Sequence, residues 1–136
     1  MKHILLRILV IALIIIAILL TIGTAHAESP AMTYDQKLNQ WIENIRTEES
    51  GGHDMLVILD TNNKYSYGCL QYQMATWNYY SKKYGVDAEI MDCEAQKEVT
   101  RNIIKHEKNG WRNWYTSVTK KGVGLPPTPD LSTDKS

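Results

Sequence analysis

The 136-residue chain contains no phenylalanine and no excess charge of either sign, because 15 Lys and Arg balance 15 Asp and Glu. A nucleic-acid-binding domain usually shows a basic patch or a strongly positive charge, so we expect no nucleic acid as a partner. The aromatic residues are instead 4 Trp and 8 Tyr. Their rings combine an apolar body with a polar group, which suits either a packed core or the stacking faces and hydroxyls of a sugar.

Cysteine is also scarce, with Cys69 and Cys93 as the two in the chain. Two cysteines are too few for a structural zinc site without histidine partners. His53 and His106 show no ligand spacing, so we expect neither a metal nor a cofactor. In an oxidising compartment the two cysteines favour a disulfide, with two buried free thiols as the alternative. Such a bond would stabilise the fold by about 3 kcal/mol.

The N-terminal segment 1–27 has the order of a secretory signal peptide. Lys2 and Arg7 supply positive charge, an uncharged run covers 8–22, and Ala25-His26-Ala27 is a small-x-small cleavage site. The alternative is an uncleaved membrane anchor, because 4–22 approaches the roughly 20 apolar residues that span a bilayer. In both cases we expect the rest of the chain to be exported, to the periplasm, cell wall or extracellular space, and to contact a membrane only through this segment.

The remaining chain predicts one small, mainly α domain over residues 33–121, which we expect to be a monomer. Thr33 and Gln36 have the spacing of a capping box, and an apolar face at helical spacing continues to Glu48 or Glu49. Further helices are predicted over 74–84, from Cys93 to about Lys108 and from Trp111 to about Lys120. Between the first two helices, 55–59 and 64–67 predict a short β-hairpin or an irregular loop. Residues 122–136, rich in Pro, Gly, Ser and Thr, predict a disordered tail.

The pair Glu48-Glu49 lies where the first helix ends and the turn Ser50-Gly51-Gly52 begins. A carboxylate at a helix C-terminus meets the negative end of the helix dipole. Burial against aromatic surface would disfavour its charge further. Both effects favour a protonated acid near neutral pH, which general acid catalysis requires. An ordinary solvated helix end is the alternative for Glu-Glu-Ser taken alone.

Two segments in order resemble the soluble lytic transglycosylase family. They are Glu49-Ser50-Gly51-Gly52 and then Tyr65-Ser66-Tyr67-Gly68-Cys69-Leu70-Gln71. Members of that family place a Glu-Ser at a helix end and a Gly-Leu-Met-Gln-like segment about twenty residues later. The resemblance covers roughly residues 38–115. It departs from the family at Cys69-Leu70, which replaces the usual Leu-Met, and in lacking a clear Ala-Tyr-Asn motif.

The resemblance implies a lysozyme-like fold and cleavage of peptidoglycan glycan strands, with Glu49 as the catalytic residue. It implies that Ser50, Ser66, Gly68 and Gln71 bind substrate, and that Tyr115 closes the cleft. Such an enzyme breaks the bond between N-acetylmuramic acid and N-acetylglucosamine and leaves 1,6-anhydro ends.

Two other functions stay open. A lysozyme-type hydrolase would need a second carboxylate, for which Asp54 and Asp60 are candidates. A module that binds the cell wall without cleaving it would need only the cleft.

Overall fold

The computed structural model describes residues 30–129 together with Ile4, Arg7, Val10 and Ile11. The chain divides into two compact units, Met1–Ala31 and Met32–Ser136. Most of the predicted signal peptide or anchor at 1–27 and the end of the predicted tail at 130–136 lie outside the described residues. Among the residues that are described, no helix is both long enough and apolar enough to cross a membrane.

The second unit is mainly α with a small antiparallel sheet, as the sequence predicts. In chain order its helices are α1 (Tyr34–Ser50), α2 (Met74–Tyr84), α3 (Cys93–His106), a 3₁₀ turn (Gly110–Trp114) and α4 (Tyr115–Thr119). Its strands are β1 (Val57–Leu59), β2 (Tyr65–Tyr67) and β3 (Tyr72–Gln73), paired in that order.

Local signals explain the ends of α1, α2 and α3. The predicted capping box is present, since the Thr33 hydroxyl accepts from the Gln36 amide and the Gln36 side chain accepts from the Thr33 amide. Asp92 caps α3 by accepting from the Ala95 amide. Gly51 and Gly85 end α1 and α2 in the left-handed conformation, which glycine adopts without steric cost.

The segment between α1 and α2 is a hairpin rather than an irregular loop. Val57 faces Tyr67 and Leu59 faces Tyr65 across β1 and β2. β3 adds a strand that the sequence does not predict, with Tyr72 opposite Tyr67. Two residues are too few to show the alternating pattern by which a strand is recognised.

The predicted fourth helix divides into the 3₁₀ turn and α4. Gly110 packs so closely that a Cβ there would lie 2.5 Å from the Ile103 Cγ2 atom. The tight turn brings Trp114 into the core, where it is 4% exposed and its indole N–H donates to the Leu70 carbonyl at 3.0 Å. α3 likewise ends at His106 rather than Lys108, because Glu107 takes an extended conformation.

The core lies where α3 packs against α1, α2 and the 3₁₀ turn, and α1 also packs against α4. Three aromatic pairs meet edge to face in it, with ring centroids 5.5–6.4 Å apart: Trp41–Trp114, Tyr72–Trp114 and Tyr72–Trp77. This geometry is the favourable one for aromatic rings. Most of the tryptophan side chains therefore fill the interior and do not present a ring face to a sugar.

Packing continues beyond residue 121, the predicted end of the domain. Val123 packs against the core, and its amide donates to the Ser117 carbonyl at 3.2 Å. The Trp41 indole N–H donates to the Gly124 carbonyl at 2.9 Å. The first residues of the predicted disordered tail are thus part of the folded unit, because a core tryptophan needs their backbone as an acceptor.

The two cysteines form a disulfide, which is the first of the two alternatives that the sequence offers. Cys69 and Cys93 have Cα atoms 5.6 Å apart and are separated by 24 residues. The bond ties the segment after β2 to the first residue of α3. It therefore holds the sheet against the helical core.

Candidate active site

A polar cleft of about 540 Å³ lies where the C-terminal end of α1 meets the sheet and the α4 region. Its size falls within the range of small-molecule sites. The predicted residues Glu49, Ser66, Gln71 and Tyr115 all line it. Residues more than sixty positions apart in sequence therefore meet in one concave surface.

Glu49 lies in the last turn of α1 and is partly buried. Its Oε1 atom accepts a hydrogen bond of 2.6 Å from the hydroxyl of Ser117, which is itself fully buried. Burial raises the pKa of Glu49, although the Ser117 hydrogen bond and the charge of Lys121 act to lower it. The negative charges of Asp60 and Glu48 add to the increase. The net effect is a carboxyl group that keeps its proton to higher pH than an exposed glutamate.

The sheet contributes a second carboxylate to the cleft. Asp60 directly follows β1, and its Oδ2 atom accepts hydrogen bonds from the Ser66 hydroxyl and, at 3.1 Å, from the Gln73 amide. Ser66 is only 3% exposed. Asp60, Ser66 and Gln73 belong to different strands or their ends, so the three-stranded sheet itself sets the position of this carboxylate.

Gln71 lies beside this network with its backbone in the left-handed region, at φ 54°. Its side-chain amide donates to the carbonyls of Gly68 at 2.7 Å and Leu56 at 3.2 Å. The amide N–H groups are thus held by backbone, which leaves the side-chain oxygen as the atom available to a ligand.

Tyr115 supplies an aromatic surface at the α4 side of the cleft. It is 52% exposed and stacks on Trp111 with ring centroids 6.1 Å apart and an interplanar angle of 19°. Arg112 lies between them in sequence and also lines the cleft. Exposed rings beside polar groups are suited to the apolar and hydroxylated faces of a sugar.

Ser50 and Gly68, which the sequence predicts as substrate-binding residues, do not line the cleft. Ser50 is 4% exposed, and its hydroxyl donates to the Arg46 carbonyl at 3.0 Å within α1. Gly68 has φ 74°, and a Cβ there would lie 2.3 Å from the amide nitrogen of the buried Gln96. Packing against Gln96 therefore requires glycine at this position.

The two carboxylates considered for a hydrolase occupy different surroundings. Asp60 lines the cleft, whereas Asp54 is exposed and forms an ion pair of 2.7 Å with Arg46. The sequence does not predict Ser117, Gln73 or Lys121 as site residues. Serine, glutamine and lysine are common on surfaces, and no local pattern distinguishes these three.

The Asp54, Cys69 and Cys93 side chains lie within 4.8 Å of one another. The two sulfurs are bonded to each other, whereas a metal is held by thiolates. This group is therefore not suited to binding a metal ion.

Comparison of the chain with protein-family models, with curated proteins and with solved structures found no match.

Proposed function

We propose that the cleft cleaves the β-1,4 bond between N-acetylmuramic acid and N-acetylglucosamine in peptidoglycan, as a lytic transglycosylase with Glu49 as acid and base. One observation supports this most strongly. A half-buried carboxyl with a raised pKa lies in a polar cleft at the end of α1. A general acid needs a protonated group of this kind beside the bond that breaks.

The order of the helices and strands supports a lysozyme-like fold. The catalytic glutamate ends the first helix, a small antiparallel sheet follows, and the remaining helices enclose the core. We place the enzyme outside the cytoplasmic membrane, where peptidoglycan lies and where the Cys69–Cys93 disulfide is stable. It acts as a monomer on glycan strands without a cofactor.

In the first step the protonated Glu49 donates its proton to the bridging oxygen as the glycosidic bond breaks. Positive charge develops at the anomeric carbon, and the neighbouring N-acetyl group of the sugar stabilises it. Ser117 holds Oε1 of Glu49 at 2.6 Å, so Oε2 is the oxygen that faces the reaction. Fixing the carboxyl in this way reduces the reorganisation that the reaction requires.

In the second step the Glu49 carboxylate removes the proton from the 6-hydroxyl of the muramic acid. That oxygen bonds to the anomeric carbon and closes the 1,6-anhydro ring. The hydrogen bond from Ser117 and the positive charge of Lys121 both favour the carboxylate at this stage. Gln71 and Tyr115 contact the acetamido groups and ring faces of the glycan.

The test is the clearing of purified peptidoglycan by the wild type and by Glu49→Gln, followed by mass spectrometry of the products. We expect the substitution to lower the rate by about 100-fold or more, because it removes the only proton donor at this position. Anhydro ends in the wild-type digest are the expected product.

Glu48→Gln is the matched control, because Glu48 is the preceding residue and is exposed. It should retain close to wild-type activity. Equal losses in the two variants would contradict the assignment of Glu49. Binding of peptidoglycan without cleavage by the wild type would instead identify a wall-binding module.

A further inference from the structure

The cleft contains two carboxyl groups that are held in different ways. Glu49 belongs to α1 and is fixed by Ser117 from α4, whereas Asp60 belongs to the hairpin and is fixed by its neighbours in the sheet. The proposed transglycosylase reaction uses only Glu49. Asp60 helps to raise the pKa of Glu49 through its charge, but it takes no direct part in the bond changes of that reaction.

The hydrogen bonds of Asp60 leave part of its carboxylate free. Ser66 and Gln73 both donate to Oδ2, which is the arrangement expected of an ionised acceptor. Within the described part of the chain, Oδ1 has no side-chain hydrogen-bond partner, and Asp60 is only half-buried. An oxygen in this position can accept a hydrogen bond from a water molecule in the cleft.

Ser66 and Gln73 also limit the motion of Asp60. Ser66 is nearly fully buried in β2, and Gln73 lies at the junction of β3 and α2. Ser66 and Gln73 are register partners in neighbouring strands, so both donors are fixed by the pairing of β2 with β3. A water bound to Oδ1 would be held in a fixed direction, as a nucleophile must be.

Building on the proposed function, we propose that Asp60 gives the same cleft a second activity, in which a water molecule held by its free oxygen attacks the anomeric carbon and the glycosidic bond is hydrolysed. The 6-hydroxyl of the sugar and this water then compete for one intermediate. The enzyme releases both anhydro and reducing ends.

Water is the one co-reactant of the hydrolytic step. The bond from the anomeric carbon to the bridging oxygen breaks, and that oxygen takes the proton of Glu49. The water oxygen bonds to the anomeric carbon, and Asp60 accepts the proton that the water loses. Exchange with solvent then returns Glu49 to its protonated form and Asp60 to its ionised form.

Borohydride-reduced peptidoglycan provides the test, because the reducing ends already present are blocked before the enzyme is added. After digestion, reduction with borodeuteride labels each newly formed reducing end, and mass spectrometry counts these ends against anhydro ends. The wild type should form both kinds. Asp60→Asn should lower the ratio of reducing to anhydro ends about 100-fold, the usual contribution of a general base.

Asp54→Asn is the matched control, since Asp54 is an exposed aspartate outside the cleft, and its ratio should equal that of the wild type. Gln73→Ala, which leaves Asp60 with Ser66 as its remaining donor, should lower the ratio by a smaller factor. Circular dichroism of each variant shows whether it is folded.

Three results bear on the proposals separately. Anhydro ends alone from the wild type would overturn the role of Asp60 and leave the transglycosylase standing. An unchanged ratio in folded Asp60→Asn would overturn it as well. No new ends of either kind from the wild type would contradict the proposed function itself.

Discussion

The close packing of Gly68 against Gln96 leads to a quantitative prediction for Gly68→Ala. The added Cβ would lie 2.3 Å from the Gln96 amide nitrogen and 2.9 Å from its Cδ atom. Gln96 cannot simply move aside, because it is fully buried and its amide donates to the carbonyls of Tyr67 at 2.8 Å and Ile90 at 2.5 Å. Its oxygen also accepts from the Leu70 amide at 2.8 Å.

Two costs add in this variant. A residue with a Cβ in the left-handed conformation costs about 1–2 kcal/mol. Displacing Gln96 leaves at least one buried polar group without its partner, at about 1–3 kcal/mol. We therefore expect Gly68→Ala to lower the free energy of unfolding by about 2–5 kcal/mol.

Gly85→Ala separates the two costs. Gly85 has φ 68°, close to that of Gly68, and a Cβ there would meet no atom within 4 Å. Its substitution should therefore cost only the conformational part, about 1–2 kcal/mol. Urea denaturation with the disulfide intact gives the free energy of unfolding of each variant.

A double-mutant cycle with Gln96→Ala identifies the clash directly. Gln96→Ala alone removes the hydrogen bonds and is itself destabilising, but it also removes the atoms that the new Cβ would meet. The double variant should therefore cost at least about 1 kcal/mol less than the sum of the two single variants. Additive costs, or equal costs for Gly68→Ala and Gly85→Ala, would refute the packing explanation for this glycine.

Three further predictions concern the site and the fold. Ser117→Ala removes the hydrogen bond to Glu49 and should raise the pKa of Glu49 further, so that the pH–rate profile shows activity persisting to higher pH. Ser81→Ala changes another buried serine and should leave that profile unchanged. Because the folded pKa of Glu49 is raised, its ionisation destabilises the fold as pH rises through that pKa. Glu49→Gln should therefore melt at a higher temperature than the wild type at neutral pH, and this difference should disappear in acid below the pKa of the unfolded state. Reduction of the Cys69–Cys93 disulfide should lower the free energy of unfolding by about 3 kcal/mol, measured by denaturation with and without reductant.

The sequence predicts those parts of the fold that short-range interactions determine. The capping box at Thr33 and the Ser50-Gly51-Gly52 turn after α1 each act within a few residues. Each interaction involves residues that are close in sequence, so the pattern alone predicts it. Between α1 and α2 the sequence leaves a hairpin and an irregular loop as alternatives, and the pairing of β1 with β2 shows that the hairpin forms.

Interactions between distant segments are not predictable in this way. Ser117 and Glu49 are 68 residues apart, and Trp41 and Gly124 are 83 residues apart. Nothing near Ser117 indicates that its hydroxyl faces a carboxyl group. Similarly, Gly124 lies in a segment of low apolar content, and nothing near it in sequence indicates that its carbonyl accepts from the indole of Trp41.

Gly68 shows why the sequence alone does not give the physical reason for a glycine. The family resemblance implies that Gly68 binds substrate, and the structure gives this residue a positive φ. The neighbour that requires glycine is the buried Gln96 of α3. Only the folded chain brings the two together, so the sequence alone cannot distinguish a packed glycine from one that contacts a ligand.

The protonation of Glu49 is tested most directly by NMR. Carbon-13 labelling of the glutamate side chains, with Glu49→Gln to assign the resonance, gives the titration curve of this carboxyl in the folded protein. We predict a pKa above the ordinary value of 4.5, together with loss of activity as pH rises through the same value. A pKa at or below 4.5 would contradict a protonated acid in the cleft and, with it, the proposed mechanism.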